Sequence, residues 1–144
     1  MSTTYALDRK TPWHLWVAAI LTLLWNGSGA VTIMLAQLGR LPDISADEAA
    51  YYAAQPLWFV ISTSVATFTP VAAGIALLVR SRLAVLLFAI SLALILANSI
   101  YELAAGVSRA LVNPGAMVVT IIIVAIAILQ LAYSNAMKKR GVLR

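Results

Sequence analysis

Cysteine is absent from this chain of 144 residues, and His14 is its only histidine. The absence of cysteine excludes disulfide bonds, thiolate catalysis, cysteine-ligated zinc and iron–sulfur clusters. A single histidine also excludes a metal site built from several histidines. Charge is scarce as well, since 10% of the residues are charged and 62% are apolar, whereas about 25% of the residues of a soluble domain are charged. A cytosolic enzyme is therefore not expected.

Residue patterns that are typical of catalysis are also missing from the sequence. It has no carboxylate pair suited to acid–base work, no Ser–His–acid set, no glycine-rich phosphate loop and no cluster of metal ligands. The sequence therefore predicts no catalytic residue, no metal site and no bound cofactor, and the protein is not expected to be an enzyme.

What the sequence does contain is four long apolar stretches. They cover residues 13–38, 57–79, 83–104 and 115–133, and a helix needs about 20 apolar residues to cross a membrane. None of them contains Lys or Arg, and Glu102 is their one acidic residue. We expect an all-α, integral membrane four-helix bundle that forms a single membrane domain. The first stretch is longer than the apolar part of a signal peptide, so it is expected to stay as an uncleaved anchor.

The basic residues are distributed unequally between the two predicted sides of the membrane. Eight are expected on one side, whereas Arg40 and Arg109 fall on the other. The positive-inside rule then predicts a multi-pass membrane protein with both termini in the cytoplasm. The eight are Arg9, Lys10, Arg80, Arg82, Lys138, Lys139, Arg140 and Arg144. Because they are spread over the ends of the spans, they favour contact with the lipid bilayer and not with a nucleic acid.

The connection between the first and second spans has a helical pattern of its own. Ser45 precedes Glu48 by three residues, which is the spacing of a capping box, and an alanine-rich stretch follows. Pro56 then suits the start of the second span, where its missing N–H costs nothing. We therefore expect a short helix over residues 46–55 on the outer surface.

A few polar and small residues inside the spans form a predicted polar intramembrane face. Spacings of three and four residues place several of them on one side of their helix. The residues assigned to this face are Thr22, Asn26, Gly29, Gln37, Thr67, Ser91, Asn98 and Glu102. Near Asn26, the small residues are compatible with two interpretations. One is a seam where two helices pack closely, and the other is a contact with a polar ligand at mid-membrane depth.

Two further residues in the spans have two interpretations each. Glu102 lies near the outer boundary, where it is either hydrated or paired with Arg109 or Arg40, or where it accepts a proton or a cation. Pro70 removes a backbone donor and crowds the carbonyl of Ala66, which predicts a kink in the second span. That kink is either a static bend or a hinge.

Several short motifs are distributed over nearly the whole chain. They are Trp25-Asn26-x-x-Gly29 with Gln37 in the first span, Pro56-x-Trp58 at the start of the second, the paired Arg80 and Arg82, and the ending Met137-Lys138-Lys139-Arg140-Gly141. In these motifs the chain resembles a family of small four-span bacterial inner-membrane proteins that are often described as sugar transporters. It differs from that family at Thr32 and Ile33, where Asp-Tyr is usual, and at Thr69 and Pro70, where a glycine pair is usual.

The sequence leaves two functions open. The resemblance implies a transporter of a small solute of the sugar type. Because a lone four-helix bundle normally fills its interior with its own side chains, such a transporter is expected to act as a homo-oligomer. The alternative is a non-catalytic accessory or scaffold subunit that associates with itself or with another membrane protein.

Overall fold

The computed structural model describes residues 11–144, and within them the chain is all-helical, with no strand. Arg9 and Lys10, which contribute to the predicted orientation, lie outside the described residues. A single 3-10 turn at Arg109–Leu111 precedes the last helix. The α-helices are α1 (Trp13–Gln37), α2 (Ala46–Ala53), α3 (Leu57–Leu78), α4 (Leu83–Ala105) and α5 (Gly115–Lys139).

Four of these helices, α1, α3, α4 and α5, are long and apolar enough to cross a membrane. Their outer faces are covered with large apolar side chains, and Leu24, Val118 and Leu129 are each more than half exposed. In water such a surface would be unfavourable, whereas lipid tails solvate it. The prediction of four long apolar helices is confirmed, and the fold indicates a multi-pass membrane protein. The remaining helix, α2, forms where the sequence predicts a short helix over residues 46–55. It begins at Ala46 as expected and ends at Ala53.

Helix α3 lies at the centre of the bundle, because it packs against both α1 and α4, and α4 packs in turn against α5. Helices α1 and α5 approach each other at one end, where His14 Nδ1 lies 2.6 Å from the hydroxyl oxygen of Tyr133. Away from that end, a cleft separates these two helices. The neighbouring pairs α1–α3, α3–α4 and α4–α5 are packed together, whereas space remains between α1 and α5.

The chain ends against the turn between α3 and α4. The backbone N–H of Arg82 donates to the carbonyl of Arg144 over 2.9 Å, and that of Arg144 donates to the carbonyl of Arg80 over 2.6 Å. Val142 and Leu143 are buried there. This end of the bundle, with the start of α1, residues 80–82 and residues 142–144, is called the tail end. The opposite end, which carries α2 and the 3-10 turn, is called the α2 end.

Candidate functional site

A cavity of about 380 Å³ lies between α1, α3, α4 and α5 at the α2 end of the bundle. Helix α2 and the 3-10 turn contribute to its wall through Tyr51, Tyr52 and Arg109. Its volume falls in the range of about 300–1,000 Å³ that is usual for small-molecule sites. The expectation that a lone bundle fills its own interior is therefore wrong for this chain. We call this space the polar cavity.

Six of the eight residues predicted for the intramembrane face line the polar cavity. They are Asn26, Gly29, Gln37, Thr67, Asn98 and Glu102. The other two lie elsewhere in the bundle. Thr22 is buried where α1 meets α3, with its methyl group beside Gly74, and Ser91 is buried against α3. Most of the predicted face thus lies on the cavity wall, while two residues of the same pattern have packing roles.

Hydroxyl groups on α3 hold two of the amide side chains in place. Asn98 accepts a hydrogen bond from the Ser62 hydroxyl over 2.7 Å and donates to Thr63 Oγ1 over 3.3 Å. Gln37 donates to the carbonyl of Val60 over 3.3 Å, and its oxygen lies 3.1 Å from the Ser64 hydroxyl, whose single proton is shared with that carbonyl at 2.8 Å. An amide held from two sides keeps its orientation without a ligand. Each amide group still has a second lone pair or a second N–H for another partner.

Asn26 is held by its own helix. Its Nδ2 donates to the carbonyl of Thr22 over 2.9 Å, which leaves its oxygen available as an acceptor. Trp25, Tyr51, Tyr52 and Phe59 contribute aromatic surface to the same cavity. The cavity therefore combines amide donors and acceptors with aromatic rings, which is the composition expected of a site for a small polar molecule.

The small residues of α1 do not make a close helix contact within the chain. A Cβ atom added at Gly27 or Gly29 would meet no other heavy atom within 4 Å, and Gly29 lines the polar cavity. The close approach of α1 to another helix occurs at Gly74 of α3, where an added Cβ would lie 2.8 Å from Leu23 Cδ2. Within this chain, the small residues around Asn26 therefore form no close helix contact, and Asn26 and Gly29 border the polar cavity.

An ion pair joins α2 to the 3-10 turn beside the cavity. Arg109 donates from Nε to Glu48 Oε1 over 2.7 Å and makes a second hydrogen bond to the same oxygen through its terminal nitrogen. Glu48 is only 5% exposed, and Asn113 donates to its other oxygen over 3.5 Å. The sequence predicts Glu48 only as part of a capping box. Ser45 does accept from the N–H of Glu48, but the Glu48 carboxylate binds Arg109.

The Glu102 carboxylate is hydrogen-bonded to a tyrosine and not paired with Arg109 or Arg40 as the sequence suggests. Arg109, one of its two expected partners, pairs with Glu48, and the Glu102 carboxylate accepts a hydrogen bond from the Tyr51 hydroxyl. In residues 11–144, no Lys or Arg forms an ion pair with Glu102. The wall of the cavity therefore carries a carboxylate whose bonded partner is a neutral phenol.

The phenol groups of α2 are protonated at neutral pH. Burial, reinforced by the hydrogen bond to Glu102, raises the pKa of Tyr51 well above its ordinary value of 10.0. Burial also raises the pKa of Tyr52, and the charge of Arg109 opposes that shift. Because the pKa of Tyr51 is raised in the folded state, the protonated phenol stabilises the fold. This contribution is complete below pH 10, the ordinary pKa, and is lost as the pH rises above it.

Ser91 explains how the helix tolerates the proline in α3. Pro70 leaves the carbonyl of Ala66 without its helical donor, and the Ser91 hydroxyl of α4 donates to that carbonyl over 2.6 Å. Ser91, Ala66 and Pro70 are all buried. The carbonyl that Pro70 leaves without a donor is therefore satisfied by the neighbouring helix, and α3 is continuous from Leu57 to Leu78, so that the predicted kink stays a prediction.

Replacement of Ser91 by alanine is expected to lower the free energy of unfolding by about 1 kcal/mol, because it leaves the buried carbonyl of Ala66 without a donor. In a Pro70→Ala background the helix supplies its own N–H to that carbonyl, so the same change should cost much less. Unfolding of the four variants by a denaturing detergent measures both costs. Equal costs in the two backgrounds would show that Ser91 acts in some other way.

Comparison of the chain with protein-family models, with curated proteins and with solved structures finds no match. The resemblance to small four-span bacterial membrane proteins therefore stays a hypothesis that rests on its sequence motifs.

Proposed function

We propose that this protein is a transporter of a small, sugar-type solute in the bacterial inner membrane, and that the solute binds in the polar cavity. The observation that carries the proposal is a cavity of about 380 Å³ between the four long helices. The amides of Gln37 and Asn98 line this space and are already held in place by α3. A site that is formed before the ligand arrives loses less entropy on binding.

The lining has the chemistry that a hydroxyl-rich solute requires. Asn26, Gln37 and Asn98 each offer both a donor and an acceptor type, and a sugar hydroxyl acts as both. Trp25 and Phe59 provide the aromatic surface on which the C–H face of a sugar ring packs. Buried polar groups of this kind also discriminate against solutes that leave them unpaired.

We further propose that the tail end faces the cytoplasm, so that the α2 end, beside which the polar cavity lies, faces outward. Six of the basic residues in the described part of the chain are in the tail-end segments, at positions 80, 82, 138, 139, 140 and 144. The α2 end has Arg40 and Arg109 together with most of the acidic residues. The positive-inside rule supports this orientation.

Uptake into liposomes tests the proposal. We expect the purified wild-type protein to move a labelled sugar, and the Asn26→Leu/Asn98→Leu variant to lose at least about tenfold of the rate, because two hydrogen-bonding groups are removed. Asn135→Leu is the matched control, since Asn135 is exposed on α5 and does not line the cavity. Circular dichroism should show the same helix content in all three proteins. The proposal is wrong if no sugar enters, or if the cavity variant transports as well as the control.

The alternative is a non-catalytic accessory or scaffold subunit, as a homo-oligomer or with another membrane protein. The open space in front of Gly27 and Gly29 favours it, because small residues allow a helix of another chain to approach closely. Chemical crosslinking in native membranes distinguishes the two roles. A stable partner recovered together with a complete absence of uptake would support the accessory role.

A further inference from the structure

We infer that the solute of the polar cavity carries a positive charge, and that it is a hydroxylated primary amine of the amino-sugar type. This inference rests on the proposed function, since it names the class of solute for the same cavity. It is drawn from the charged side chains of the cavity wall, because the amides alone would suit a neutral solute equally well.

One acidic and one basic side chain, Glu102 and Arg109, line the polar cavity. The Arg109 guanidinium is already neutralised by Glu48, which it contacts through two of its nitrogens. Glu48 is buried and is held by Asn113 on its other oxygen. Arg109 uses two of its five N–H donors on Glu48, so it can still donate to a solute, but its positive charge is already compensated by that buried carboxylate.

The Glu102 carboxylate has no such compensation in the part of the chain that the structure describes. The Tyr51 hydroxyl donates to Oε1, and a phenol supplies one hydrogen bond but no positive charge. A carboxylate accepts up to about four hydrogen bonds, so Glu102 retains capacity for an ammonium group. When Glu48 is counted with its partner Arg109, the three charged side chains at this end of the cavity sum to one negative charge, which favours cations over anions.

The position of Glu102 also fits a solute that carries both an amine and hydroxyl groups. Asn98 and Glu102 are four residues apart on α4 and both line the cavity. Side chains at this spacing project from the same face of a helix, with Cβ atoms about 5–6 Å apart. This distance is comparable to the separation of substituents on one sugar ring. An ammonium group bound to Glu102 therefore places a ring hydroxyl within reach of Asn98.

Three probes of the same ring size and different charge test the inference directly. They are glucose, glucosamine and glucuronate, each titrated calorimetrically into the full chain in detergent at pH 6, where an amine is protonated. We expect glucosamine to bind at least about tenfold more tightly than glucose, because an ammonium–carboxylate hydrogen bond is stronger than a neutral one. Glucuronate should bind more weakly than glucose.

The Glu102→Gln variant tests whether the preference for glucosamine over glucose depends on the Glu102 carboxylate. It should bind glucosamine and glucose with affinities within about twofold of each other, because an amide side chain carries no charge. Asp47→Asn is the matched control, because Asp47 is an exposed acid on α2, and it should retain the preference for glucosamine.

The outcomes separate the inference from the function on which it rests. Equal binding of glucose and glucosamine by the wild-type protein overturns the inference but leaves a sugar-type site in place. A preference that survives in Glu102→Gln overturns the role given to that carboxylate. Failure of all three probes to bind overturns the sugar-type function as well.

Discussion

Replacement of Gly74 by leucine is expected to lower the free energy of unfolding by about 3 kcal/mol, at the upper end of the usual cost of overpacking. Even a single Cβ atom at this position would lie 2.8 Å from Leu23 Cδ2 and 3.2 Å from Thr22 Cγ2. Gly74 and Thr22 are buried, so a larger side chain has no space unless α1 and α3 move apart. Unfolding in mixed micelles by a denaturing detergent measures the change.

The control for this prediction is the same substitution at a glycine with open surroundings. Gly27 has no heavy atom within 4 Å of the place where its Cβ would be, so Gly27→Leu is expected to change the stability by less than about 1 kcal/mol. Because both variants add the same apolar side chain to a long helix, the difference between them reports the α1–α3 contact. Similar stabilities for the two variants would contradict the packing described for these helices.

Replacement of Arg109 by leucine is expected to release α2 from the α2 end of the bundle. The change leaves the buried Glu48 carboxylate without its counter-ion. Loss of one partner of a fully buried pair costs about 3–5 kcal/mol; we expect about 2 kcal/mol here, because the Arg109 side chain is 30% exposed and partly screened by solvent. The cost should appear as local opening of α2, with hydrogen exchange of its backbone amides roughly thirtyfold faster.

Two further variants make the ion-pair prediction specific. Glu48→Leu/Arg109→Leu removes both charges and is expected to recover most of the protection of the α2 amides. Arg40→Leu removes an exposed basic residue from the same end of the chain and should leave the exchange unchanged. If Arg109→Leu exchanges at the wild-type rate, the ion pair does not hold α2 in place.

The helices could be predicted from the sequence because the ends of the apolar stretches coincide with residues that commonly end a helix. Gly106, for example, adopts the left-handed conformation, with φ +64°, at the end of α4, as glycine commonly does at a helix C-terminus. The last helix is the exception. It continues to Lys139, six residues beyond the predicted span, because the boundary of an apolar stretch need not end the helical hydrogen bonding.

The polar wall of the cavity could be predicted in part, since helical periodicity shows which residues of one helix share a face. It does not show which helices are neighbours. The pairing of Glu48 with Arg109, and of Ser91 with the carbonyl of Ala66, joins residues that are 61 and 25 positions apart. The proline at position 70 was a usable signal for the second contact, because it implies a carbonyl in need of a donor.

The volume of the cavity could not be predicted at all. It depends on how far α1 and α5 diverge from their contact at His14 and Tyr133. That divergence is set by the packing of both helices on α3 and α4 and not by any local pattern in the sequence. Gly27 and Gly29 illustrate the difficulty, since their pattern is the same for a packing seam and for the wall of a cavity.

Labelling of single introduced cysteines tests the membrane arrangement most directly, because the chain has no cysteine of its own. Three exposed positions report the two ends and the middle of the bundle: Ala49→Cys on α2, Lys139→Cys at the tail end and Ala125→Cys in the centre of α5. In intact cells, a membrane-impermeant maleimide should label Ala49→Cys at once and Lys139→Cys only after permeabilisation. Ala125→Cys should stay unlabelled in both conditions, because lipid covers it. Labelling of all three positions alike, or of Lys139→Cys from outside, would contradict the account.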